Sequence, residues 1–128
     1  MDLQTSKDFS KLIGLSYAEF NCWDVCHIFY KDFLGIELKQ YYSVDPKKED
    51  ERNNLISSNV GDFEKVIEPK FGDLILIKLN GIESHIGVFL TDVTFLHTTE
   101  KTGCIIDRTS RWVERISGYY RVRKETEV

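Results

Sequence analysis

Apolar residues recur along the chain with two different periods, and the change between them divides it into a helical front and a strand-rich back. In residues 5–13, Phe9, Leu12 and Ile13 fall at i, i+3 and i+4, one face of a helix, and Gly14 supplies a stop. A second helix is predicted from Cys22. Asn21 before it is a good N-cap, because its side-chain oxygen can accept from the unbonded amides of a first turn. Val25, Phe29 and Phe33, flanked by Ile28, form the apolar stripe of this helix, and Gly35 breaks it. The mixed-charge run at 45–52 predicts a surface helix opening at Pro46, its charges forming a solvated face.

From Phe71 the pattern turns strand-like. Residues 74–79 read as a strand, Asn80-Gly81 as a two-residue hairpin turn, and 83–90 as the return. Further strands are predicted at 93–98, 103–107 and 119–123. Helices followed by short antiparallel strands imply an α+β fold, with the Cys22 helix packed on the sheet.

Composition narrows this picture. At 128 residues, with 41% hydrophobic and 30% charged, the chain is expected to form one domain over 1–128 with a core of its own. Its 17 basic and 21 acidic residues give a net charge of −4, without the clustered Lys and Arg that nucleic acid would require. No apolar run approaches the ~18 residues that span a bilayer. Met1-Asp2-Leu3-Gln4-Thr5 lacks a basic segment leading into an apolar one, so no secretory signal is expected. Cys22, Cys26 and Cys104 are an odd number, a poor basis for a disulfide framework. A reactive thiol, a metal site or buried sulfur remain.

Cys22 stands out among them. At the first position of a capped helix, the partial positive charge of the helix N-terminus stabilises a thiolate. His85 falls on one predicted strand and His97 on the next, so an antiparallel return sets them side by side, as a base oriented by a second polar group. Taken singly, a helix cysteine reads as packing and a strand histidine as structurally satisfied; the combination points to thiol chemistry. Zinc binding by Cys22, Cys26, His27 and Cys104 is the less economical alternative, since Cys-x-x-x-Cys within one helix lacks the spacing of structural zinc sites. Cys26 and Cys104 read as buried packing, Trp23 and Trp112 as core or rim packing, and His27 as exposed or satisfied.

Beyond these patterns, Cys22-Trp23-Asp24-Val25-Cys26-His27-Ile28-Phe29-Tyr30, running on to Leu34-Gly35-Ile36-Glu37-Leu38, resembles the nucleophile-bearing helix of the NlpC family of cell-wall cysteine peptidases, and in particular its phage tail-tip branch, the lambda-like tail assembly peptidases. Phe71-Gly72-Asp73-Leu74-Ile75-Leu76 is similar to the family's Gly-Asp-Leu strand. His85-Ile86-Gly87-Val88-Phe89-Leu90 is similar to its His-Val-Gly-Ile-Tyr strand, and Phe95-Leu96-His97 to its Ile-Leu-His. The likeness runs from about residue 12 to residue 111, in the family's order.

The resemblance implies a papain-like fold, with the nucleophile's helix on an antiparallel sheet or half-barrel. It implies Cys22 as nucleophile, His85 as general base and His97 as the residue orienting the base. Tyr17, in a segment similar to the family's Gly-x-Pro-Tyr, would offer its hydroxyl to the oxyanion beside the Cys22 amide. The implied substrate is the stem peptide of bacterial peptidoglycan, cleaved without a metal or organic cofactor. Other tail-tip proteins are the implied partners, and the virion tail, or the host cytoplasm during assembly, the implied location. Three departures stand out: only Ala18, Glu19, Phe20 and Asn21 separate Tyr17 from Cys22, where the family has a longer loop; Asn21, which still caps a helix, replaces an Asp before the nucleophile; and Asp24 replaces a glycine. A carboxylate there would oppose a nearby thiolate. Three readings follow: a working tail peptidase, a structural tail-tip module that keeps the fold without turnover, and a related thiol acyl-transferase or amidase on the same scaffold acting inside a cell.

Overall fold

The computed structural model of the chain describes residues 9–38, 63–79 and 81–122. Its helix, α1 (Cys22–Phe29), starts where its cap dictates. The Asn21 side chain accepts from the amides of Trp23 and Asp24, each at 3.0 Å, and the Asp24 carboxylate turns back to the Asn21 amide at 3.0 Å. Two otherwise orphaned ends of the backbone are thereby satisfied reciprocally. The helix widens into a π-helical turn, Tyr30–Leu34, and ends at Gly35, whose φ of +67° few other residues adopt. Cys22, Val25, Cys26 and Phe29 turn inward.

Six antiparallel strands follow: β1 (Phe63–Val66), β2 (Leu74–Leu79), β3 (Ile82–Thr91), β4 (Thr94–Thr99), β5 (Gly103–Arg108) and β6 (Ile116–Val122). Their order across the sheet is β1-β6-β2-β3-β4-β5, so β6 is inserted between β1 and β2. Side chains alternate along the strands. Leu74, Leu76, Ile86, Val88, Leu90, Leu96 and Cys104 join the residues of α1 in the main core. Ile75, Ile77, Phe89 and Phe95 form a second cluster with Trp112, Ile116 and Tyr119.

Polar ties fix the front of β2. Buried Asp73 holds the Arg121 guanidinium from β6 by two bonds, 3.0 Å to Nε and 2.8 Å to Nη2, and accepts the Lys70 amide at 2.7 Å. A fork-to-fork pair of this kind fixes orientation as well as adding attraction. The Tyr30 hydroxyl donates to the Gly72 carbonyl, tying the π-helical turn to the same corner.

Strands 74–79 and 103–107 lie where expected, the latter one residue longer, and those at 93–98 and 119–123 are displaced to Thr94–Thr99 and Ile116–Val122. The first predicted helix is corrected: residues 10–14 form turns. Gly14 donates to the Cys104 carbonyl and Leu15 accepts from the Cys104 amide, both at 2.9 Å, so β5 claims this backbone. Gly103 permits the approach, since a Cβ there would stand 2.7 Å from the Leu15 oxygen. The helix expected at Pro46, residues 5–8 of the first helix, Asn80 of the hairpin turn and the end of the last strand lie outside the described residues. Among the described residues, no helix is long and apolar enough to cross a membrane.

Candidate active site

Two helix amides that could compete for charge at the tip of α1 are occupied by Asn21, and Cys22 is the first helical residue behind that cap. Its side chain is buried, 4% exposed. Asp24, a carboxylate where the resemblance has glycine, is the returning arm of the cap and bonded to the Asn21 amide. The chain reaches α1 through a turn in which Ser16 accepts from the Glu19 amide and its carbonyl from the Phe20 amide. Tyr17 sits half-buried in that turn.

Helix α1 lies against β3 and β4, which carry the two histidines. His85 Nε2 and His97 Nδ1 are 2.8 Å apart, and both rings are buried. Gly87 makes this possible. A Cβ there would lie 2.9 Å from the Phe95 ring and the Leu96 oxygen and 3.2 Å from the His97 Cβ. Phe95 stacks on His97 with centroids 4.4 Å apart, while the Trp112 indole meets His97 edge-on at 5.0 Å and lies 6.0 Å from His85.

The pair continues into β5. His97 Nε2 is 3.0 Å from Asp107 Oδ2, the same oxygen accepts Trp112 Nε1 at 3.0 Å, and Asp107 Oδ1 accepts the Arg108 amide at 2.7 Å. Burial alone would raise the Asp107 pKa, but these three donors outweigh it and hold the carboxyl below its ordinary range. Burial lowers the His97 pKa, more than the adjacent carboxylate raises it. Acid sensitivity follows. Below about 6.5 the unfolded chain takes up a proton at His97 that the folded chain resists, so its contribution to stability is complete above that pH and is lost as pH falls. Thermal melts across roughly pH 5–7.5 should show the melting temperature dropping as pH falls below 6.5, with stability lost at up to ~1.4 kcal/mol per pH unit from this one group. His97→Gln should flatten that slope. An equal slope in the variant would assign the acid sensitivity elsewhere.

The remaining thiols have a different character. Cys26 is raised well above its ordinary pKa, by burial first and then by the neighbouring Cys22, Cys104 and Asp24, and burial pushes Cys104 up to about 11. Both are buried packing sulfurs, as their sequence context predicts. His27 is satisfied by the Leu38 carbonyl, 2.9 Å from its Nε2, and Trp23 packs edge-on against Phe63 of β1 at 6.3 Å.

Of the residues expected at the site, His85 and His97 are thus in direct contact and pack with Phe95 and Trp112, Cys22 at the head of α1 joins the main core with Ile86, Val88 and Leu96, and Tyr17 lies in the turn entering that helix. Asp107 and Trp112 extend the site beyond what the sequence pointed to. Period-two alternation could have found the carboxylate: His97 pairs with Ile105, and Asp107 is the next residue of β5 on the same face.

A family model described as the NlpC/P60 family matches residues 10–121, a span that includes α1, His85 and His97, and the six strands up to the penultimate residue of β6. No curated protein matches the sequence.

Proposed function

Since the chain belongs to the NlpC/P60 family, whose members are generally cysteine peptidases of the cell wall, we propose that it hydrolyses stem-peptide bonds of bacterial peptidoglycan through Cys22, His85 and His97. The observation that carries this reading is the buried His85–His97 pair, 2.8 Å apart and continued to Asp107, in a chain that the family model matches from residue 10 to residue 121.

In the proposed reaction His85 takes the thiol proton of Cys22, and the thiolate adds to the scissile carbonyl. The tetrahedral oxyanion is met by the Cys22 amide and the Tyr17 hydroxyl, donors of a kind worth ~2.7–4 kcal/mol each when aimed at charge that develops in the transition state. Its collapse expels the amine, which leaves with the proton held by His85, and a thioester remains. Water, deprotonated by His85, then adds to the thioester; the acid product departs and the thiol is restored. The bonded position of Asp24 supports this reading, because its carboxylate is engaged in capping the helix.

We place the activity on a phage tail, beside other tail-tip proteins, where assembly into the virion would bring it to the wall without secretion. The likeness of residues 34–38 to the tail branch supports that placement. A structural tail-tip module without turnover is the second reading, and the burial of Cys22, 4% exposed, favours it. The two are separated by incubating purified protein with peptidoglycan and with a γ-D-glutamyl stem peptide, beside a Cys22→Ala control. Fragments from wild type alone are expected; equal release by both, or by neither, would sink the peptidase reading.

A further inference from the structure

The hydrogen bonds of the histidine pair have a direction, and it can be read from the acceptor at their far end. An ionised carboxylate only accepts, and an indole N–H only donates. Asp107 accepts Trp112 Nε1 at 3.0 Å and the Arg108 amide at 2.7 Å, so it faces His97 as an acceptor, and the proton between them sits on His97 Nε2. A neutral imidazole carries one N–H, which makes His97 Nδ1 an acceptor. The nitrogen 2.8 Å from it, His85 Nε2, therefore donates. Neutral His85 is left with its lone pair on Nδ1.

We propose that Asp107 is a positioning residue of this site, fixing through His97 the tautomer of His85 in which Nδ1 is the proton acceptor. Trp112 assists by holding the same carboxylate oxygen and covering both rings with its indole. The charged groups around this arrangement are Arg111, whose Nη1 is 3.8 Å from Asp107 Oδ1 but which is largely exposed, and Arg115, stacked over Trp112 at 5.3 Å. The inference deepens the proposed function and rests on it only in giving His85 Nδ1 the Cys22 thiol as its proton donor; the order of protons stands on the geometry alone.

Two-bond proton–nitrogen correlation spectra of the nitrogen-15-labelled full chain near neutral pH report which ring nitrogen of each histidine is protonated. Wild type should show the Nε2–H form for both His85 and His97. Asp107→Leu, which removes the acceptor, should mix the tautomers of both rings and slow peptidoglycan hydrolysis by roughly ten-fold or more, part of the ~10²–10⁴ that a placed base supplies. Asp107→Asn, whose amide oxygen can still accept, should restore much of the wild-type pattern. Trp112→Phe should keep it, since the His97–Asp107 bond survives. A proton on His97 Nδ1 in wild type, a wild-type pattern in Asp107→Leu, or equal scrambling by Trp112→Phe would overturn the inference; the first of these needs no variant to fold. The predicted tautomers in a protein that cleaves no peptidoglycan would support this inference while removing the peptidase reading.

Discussion

His85→Ala is expected to lower peptidoglycan hydrolysis by roughly 10²–10⁴-fold, through kcat with KM little changed. A general base acts on a proton in transit and contributes little to holding the resting substrate, so its loss is felt where the thiol must ionise and the amine must leave. The helix tip would still favour a thiolate at Cys22, but nothing would carry its proton to the leaving group. Initial rates with a defined stem peptide, over a range of substrate concentrations, give the split between the two constants. A variant within three-fold of wild type would dismiss His85 as the base, as would a loss confined to KM. The same variant should remain folded, because the strand that carries His85 is also held by Ile86, Val88 and Leu90 in the main core.

The largest effect on stability is expected from Phe29→Ala. Phe29 is fully buried at the last position of α1 and lies against four aromatic rings: Phe33 at 5.2 Å, Phe71 at 5.6 Å, Phe9 at 5.8 Å and Tyr30 at 6.2 Å. These rings come from the N-terminal turn, the adjoining π-helical turn and the approach to β2, so one side chain ties the end of α1 to two segments distant in sequence. Truncating it removes apolar contact and leaves a void that rings of this size fill poorly, a cost of ~3–5 kcal/mol. Urea unfolding followed by tryptophan fluorescence would measure it. A loss under about 1 kcal/mol would mean that the surrounding rings collapse into the gap. Activity at low temperature should suffer far less than stability, since Phe29 lies at the opposite end of α1 from Cys22.

What could be read from sequence depended on how local the signal was. Asn21, the apolar stripe of Val25 and Phe29, and Gly35 specify α1 through contacts within a few residues, and the helix begins where they place it. Residues 74–79 alternate between two cores, and a strand was expected there with the bounds it has. The turn at 10–14 is illegible locally because its deciding partner, Cys104, is remote: the spacing of Phe9, Leu12 and Ile13 suits a helix, but the backbone bonds with β5 prevail. Strand β1 was missed for a related reason. Phe-Glu-Lys-Val has no repeating alternation, and its pairing with β6 is what makes it a strand. In the candidate site, the adjacency of His85 and His97 followed from a hairpin and its return. Asp107 carries no such signal, because in sequence it is only the end of a strand, and Trp112 none, because an aromatic residue near a strand end more commonly packs than donates.

The place of β6 in the sheet also governs when the molecule can form. Both β1 and β2 take their neighbour from residues 116–122, made after every other described strand. During synthesis, the hairpins of β2 to β5 can pair as they emerge, but one flank of β2 and all of β1 wait with bare amides and carbonyls for a strand not yet translated. Strands left open in this way are templates for pairing with other chains. A ribosome stalled before codon 116, or a protease cut there, would therefore release a fragment prone to clump with its own copies. Deletions from the far end should accordingly lose soluble protein abruptly once they enter β6.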